Sequence, residues 1–144
     1  MVRRDSGPRK TWEDLVFNAL RDGGYAVFPP EQTIGPTFLG KAHRVDGVFM
    51  VPGVQKLVLL SLKWQETPGT AEEKIPFEVI KLQSAIHDLP TFGKAFLVLG
   101  GTDTAWTLRK HYVEGALSRY LNCPDVLVVD GERFIDLARR REIL

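Results

Sequence analysis

The sequence predicts an α/β fold with a central mixed β-sheet flanked by helices. Three observations predict it. Two apolar runs, residues 43–51 and 56–65, face each other across Pro52-Gly53 and read as an antiparallel strand pair. Further on, short apolar strand-like runs alternate with helical periodicities, as they do when strands are reached through helical crossovers. No repeat, low-complexity tract or Pro/Gly/Ser linker divides the 144 residues, which suffice for one core without disulfides or a structural metal.

Residues 1–10 read as a basic N-terminal arm carrying Arg3, Arg4, Arg9 and Lys10, ahead of a single domain over 11–144. Thr11 reads as an N-cap with Asp14 three residues on, opening a helix over 11–20. Its apolar face is Trp12, Leu15, Val16, Ala19 and Leu20, and Gly23-Gly24 stops it. A strand over 25–28 follows, then a loop over 29–41 whose Gly35, Pro36 and Gly40 leave no room for regular structure. After the strand pair comes the turn Thr67-Pro68-Gly69, and Thr70 with Glu73 has the capping-box spacing. Pro76 is expected to separate a turn over 71–74 from a main helix over 76–87, striped by Ile75, Val79, Leu82 and Ile86. A strand over 94–99, a helix over 105–120, a strand over 126–129 and a helix over 132–141 complete the order α-β-β-β-α-β-α-β-α.

The net charge of +1 neither demands nor excludes a polyanionic partner. Its distribution is more informative: beside the N-terminal cluster, Lys41, His43 and Arg44 lead into Asp46, and Arg139 to Arg141 crowd the last helix. Each cluster also reads as a solvated face. Cys123 is the only cysteine, so neither an internal disulfide nor a thiolate metal site can form, and a cytoplasmic location is expected. No apolar run has the length of a membrane span, and MVRRDSGPRK lacks the apolar core of a signal peptide.

Chemistry is expected around residues 43–65. The run 56–65 reads as a buried strand, with Ser61, Lys63 and Gln65 on one face and Leu62 and Trp64 on the other. A polar row on such a strand calls for a reason. Asp46, Lys63 and a later acid suit metal-assisted phosphodiester hydrolysis, because carboxylates bind hard divalent cations and an ammonium can orient water or neutralise developing charge. The plainer readings are a hairpin turn at Asp46-Gly47 and a snorkelling Lys63.

With Asp46 on one run and Ser61-Leu62-Lys63 on the next, the chain resembles the PD-(D/E)xK nuclease superfamily, whose core has the same α-β-β-β-α-β order. The resemblance makes Asp46 the motif's first acid and Lys63 its lysine. Val45 stands where the family's usual Pro precedes the acid, and Ser61 where its second acid belongs. Some type II restriction endonucleases resemble this variant, with Ser-x-Lys and a compensating Glu from the next helix. Glu78, fifteen residues after Lys63, matches that position.

The implied metal ligands are Asp46, Glu78 and the backbone carbonyl of Leu62, for Mg2+ with Mn2+ as a substitute. Glu13 corresponds to a helical glutamate of archaeal-type Holliday junction resolvases and would also approach the metal. Glu73 competes with Glu78 but has a capping role, and Glu78 could instead pair with Lys74 or Lys81. Gln65 would bind a phosphate or water, and Arg3, Arg4, Arg9, Lys10, Lys41, His43 and Arg44 would contact DNA.

The expected protein is a Mg2+-dependent endodeoxyribonuclease, a homodimer acting on branched duplex in the manner of a junction resolvase. A chain of this size holds a catalytic core and little else, whereas reading base edges usually takes added elements. The alternatives are a sequence-specific, restriction-like nuclease, a DNA-binding module inactivated by the change at Ser61, and an α/β domain whose polar row is structural.

Overall fold

Over residues 7–28, 31–36 and 40–143, the computed structural model runs α1 (Gly7–Asp22), β1 (Ala26–Val27), β2 (Gln32–Ile34), β3 (His43–Val45), β4 (Gly47–Met50), β5 (Leu57–Gln65), α2 (Ala71–Asp88) and β6 (Phe92–Gly101), followed by a 3-10 turn (Asp103–Ala105), α3 (Arg109–Val113), α4 (Ala116–Tyr120), β7 (Val126–Asp130) and α5 (Gly131–Arg139). Arg3 and Arg4 lie outside the described residues. Five strands form one sheet in the order β1-β4-β5-β6-β7, antiparallel as far as β5 and parallel beyond it. The mixed sheet flanked by helices is the architecture the sequence predicts.

Two-residue alternation on the central strands explains the layers. On β5 and β6, Leu59, Ala95, Leu97 and Leu99 enter one core with Ile75, Val79, Leu82 and Ala85 of α2. Their neighbours Val58, Leu60, Leu62, Phe96 and Val98 enter a second core with Val16, Phe17 and Leu20 of α1 and Phe134 of α5. Both faces of these strands are therefore buried, which accounts for their nearly unbroken apolar sequence.

Several elements differ from the sequence expectation. Helix α1 already includes Gly7, so Thr11 is inside it and Arg9 and Lys10 belong to a helix face. Pro8 suits a first turn, and the i,i+4 pairs Arg9–Glu13 at 3.3 Å and Lys10–Asp14 at 3.1 Å support the added turn. Within the expected loop, Gln32–Ile34 pairs antiparallel with His43–Val45 as a separate ribbon. The expected helix over 105–120 is split into α3 and α4 at Gly115, whose φ of 92° is left-handed. At the end of β6, Gly101 has φ 114° and lies so close to β5 that a Cβ would collide with the Gln65 carbonyl.

Helix α2 continues through Pro76 instead of starting there, and Thr70 makes no side-chain cap. A proline removes the N–H that would bond the carbonyl four residues back, here Glu72. The Tyr112 hydroxyl replaces it, donating to the Glu72 carbonyl at 2.9 Å. The Glu72 side chain is buried too, accepting from the Thr107 N–H, the Thr107 hydroxyl and the Leu108 N–H. Burial alone would raise its pKa, but these donors outweigh burial and lower it.

Tyr112→Phe is expected to cost about 1–3 kcal/mol in urea unfolding, because it leaves a buried carbonyl without its donor. An unchanged midpoint would show that the carbonyl is satisfied in another way.

Candidate functional site

The antiparallel ladder between β4 and β5 ends at the pair Gly47 and Leu60. Asp46 N–H donates to that same Leu60 carbonyl at 3.0 Å, so two residues stand opposite one, as in a β-bulge. The bulge redirects the Asp46 side chain across the strand end, where Oδ2 accepts the Leu62 N–H at 2.6 Å. In a strand, a residue's N–H and C=O point to the same side, so the Leu62 carbonyl also faces Asp46's side.

Asp46 is half-buried, and its pKa is raised. Burial is the main cause and the Glu13 charge adds to it, against the lowering effects of the Leu62 N–H and the charges of Lys63 and Arg9. A cleft of about 320 Å3 opens over Asp46, lined by Arg9, Lys10, Glu13, Asp14, Phe17, Arg21 and Glu31. With Asp46, four carboxylates face three basic side chains, giving a formal charge of −1. The lining is of mixed sign, and Arg44 pairs with its Glu31.

From the other layer, Glu78 of α2 reaches β5. Its Oε1 accepts from the Ser61 hydroxyl and from His43 Nε2, both at 3.1 Å, and Oε2 lies 3.7 Å from Lys81 Nζ. Burial alone would raise its pKa; the His43 hydrogen bond and the charges of Lys63, His43 and Lys81 outweigh burial and bring it down to about 2. Lys63 therefore acts electrostatically on both acids, Asp46 and Glu78. The Glu78 carboxylate from α2 thus stands against Ser61.

Other residues fall elsewhere. His43 is 2% exposed and bonded to Glu78, which corrects its assignment as a DNA contact. Gln65 is buried and its amide N–H donates to the Ala105 carbonyl, so it anchors the 3-10 turn instead of presenting an amide to phosphate. Arg9 and Lys10 flank the cleft, while Lys41 and Arg44 are exposed, the latter paired with Glu31 at 3.0 Å. Glu73 is exposed, and its charge acts on Tyr112.

The His43–Glu78 contact was missed from sequence, although alternation offered a signal. His43 and Val45 share the buried face of β3, and Arg44 points out. Among the described residues, no three of His, Cys, Asp and Glu gather as a metal cage, and no helix is long and apolar enough to cross a membrane.

A carboxylate with a depressed pKa stabilises the fold above its unfolded value and loses that contribution as pH falls through the folded value. Glu78 should thus contribute at neutral pH and lose about 3 kcal/mol between its ordinary 4.5 and about 2. Glu72 has the same sign, and Asp46, with its raised pKa, the opposite. Urea unfolding of EDTA-treated protein across this range should show falling stability for the wild type and a shallower fall for Glu78→Gln. Parallel curves would refute the assignment.

The family model for the PD-(D/E)XK nuclease superfamily domain matches residues 6–104. No curated protein and no solved structure matches the chain.

Proposed function

Because the chain belongs to the PD-(D/E)XK nuclease superfamily, we propose that it is a divalent-metal-dependent endodeoxyribonuclease with Asp46, Glu78 and Lys63 as its working side chains. One observation carries this reading. The Glu78 carboxylate of α2 lies against Ser61, as an acid replacing the one that the strand motif lacks would.

Oxygen donors of this kind suit a hard cation by their chemistry. Mg2+ is commonly held by one or two carboxylates, with substrate oxygens and water completing its shell, so a full protein cage is not required. Asp46, Glu78 and the Leu62 carbonyl would hold it, with Glu13 beside Asp46. Mn2+ would substitute. When bound, the metal supplies Lewis acidity at the scissile phosphate and lowers the pKa of a water.

The chain's own residues set up the rest. The Leu62 N–H fixes one oxygen of Asp46, a residue that lines the cleft. Lys63, whose charge acts on both acids, orients the attacking water and offsets charge gathering on the phosphoryl oxygens. Ser61 holds Glu78 in place. Arg9 and Lys10 beside the cleft and Arg44 on the exposed side of the ribbon contact the DNA backbone, which fixes orientation without reading sequence.

We favour branched duplex as substrate and a homodimer as the working unit, two sites serving two strands. Contacts of this kind suit recognition of DNA shape.

Incubation with linear duplex, single-stranded, flap and four-way-junction DNA, with and without MgCl2 or MnCl2, tests the reading. Cation-dependent cleavage is expected, with Lys63→Ala slower by about 10²–10³-fold and Asp46→Asn at least as impaired. Cleavage by both variants at the wild-type rate would sink the site. Equal cutting of linear and branched DNA would remove the junction preference and leave the nuclease.

A further inference from the structure

We propose that His43 is a positioning residue, whose hydrogen bond holds the Glu78 carboxylate inward at Ser61 where the reaction needs an acid. The inference rests on the nuclease reading and adds a residue outside the motif.

The ring's surroundings suggest a specific task. His43 is 2% exposed, and its Nε2 lies 3.1 Å from Glu78 Oε1. A carboxylate can only accept there, so Nε2 carries the hydrogen. The other nitrogen, Nδ1, is buried without a hydrogen-bond partner among the described residues. A histidine kept for packing alone would pay for that nitrogen and gain nothing that an apolar side chain could not provide. One bond, to Glu78, offsets the cost.

Glu78 is held from two sides at once. Inward, Oε1 meets the Ser61 hydroxyl and His43 Nε2 together. Outward, Lys81 lies three residues along the same helix, with its side chain 30% exposed and its Nζ 3.7 Å from Oε2. Ser61 alone would leave one neutral donor against a cation that solvent can reach. His43 supplies the second inward donor. It comes from β3, three residues before Asp46, so one short segment carries one acid and steadies the other.

Two substitutions separate this role from simple packing. In His43→Gln the amide nitrogen falls near the position of Nε2 and keeps the donor; in His43→Asn the shorter side chain falls short of Glu78. Mn2+ affinity is read by calorimetry, and kcat and KM are measured on the best DNA substrate. His43→Asn should lower Mn2+ affinity and kcat by about 10–100-fold with KM for DNA unchanged, while His43→Gln stays near wild type. On a Glu78→Gln background the two substitutions should be indistinguishable, because a residue acting through Glu78 has nothing left to hold.

Equal losses for Gln and Asn that follow their melting temperatures would overturn the proposal. So would losses additive with Glu78→Gln, or absence of Mn2+ binding by the wild type. Mn2+ binding with the Gln/Asn split intact, but no DNA cleavage, would overturn the nuclease reading alone.

Discussion

The Leu62 N–H, where the β4–β5 ladder has run out, is satisfied by the Asp46 carboxylate at 2.6 Å, and the remainder of the site depends on that bond. A central strand cannot leave a buried donor unmatched at little cost. Taking a side-chain oxygen instead of a backbone one opens the sheet at this point without losing the hydrogen bond. It also points the Leu62 carbonyl into the opening and holds Asp46 beside it. The bulge at Asp46 makes this possible, since a residue in regular register would place its side chain perpendicular to the sheet.

The two acids sit in opposite electrostatic states. Asp46 has its pKa raised by burial and by the Glu13 charge, whereas Glu78 is held at about 2 by the donors and cations around it. Environments that push two carboxyls apart in this way assign them different tasks. An incoming cation would offset the burial that raises the Asp46 pKa. Glu78 is already ionised and aimed, and it brings order more than unmet charge. Lys63 acts on both through its charge.

The legible part of the fold was the part written in periodicity. Residues 56–65 show alternation and burial together, and Ser61, Lys63 and Gln65 do share the face turned toward α2, opposite Leu62 and Trp64. Glu78 could be singled out because Ser61 left a chemical gap and α2 came next, and its carboxylate lies against Ser61. What stayed hidden depended on distant contacts. The pairing of Gln32–Ile34 with β3 joins a segment rich in breakers to a strand across a turn, and local propensity cannot report it. His43 looked like one member of a basic cluster because its partner lies 35 residues away. Gln65 looked free to bind phosphate because the carbonyl that uses it belongs to a turn 40 residues on.

Helix α2 shows how a stability detail reaches the site. Had Pro76 begun the helix, Glu78 would lie in its first turn among unbonded N–H groups, with its direction set by capping and not by β5. The continuous helix instead places Glu78 in its second turn, in line with Ile75, Val79 and Leu82 on the buried side. Continuity requires a donor for the Glu72 carbonyl, and Tyr112 on α3 provides it while the Glu72 side chain fixes the segment leading into α3. The elements after β6 thereby brace the helix that carries the acid. Residues beyond the matched region 6–104 take part in the site without touching it.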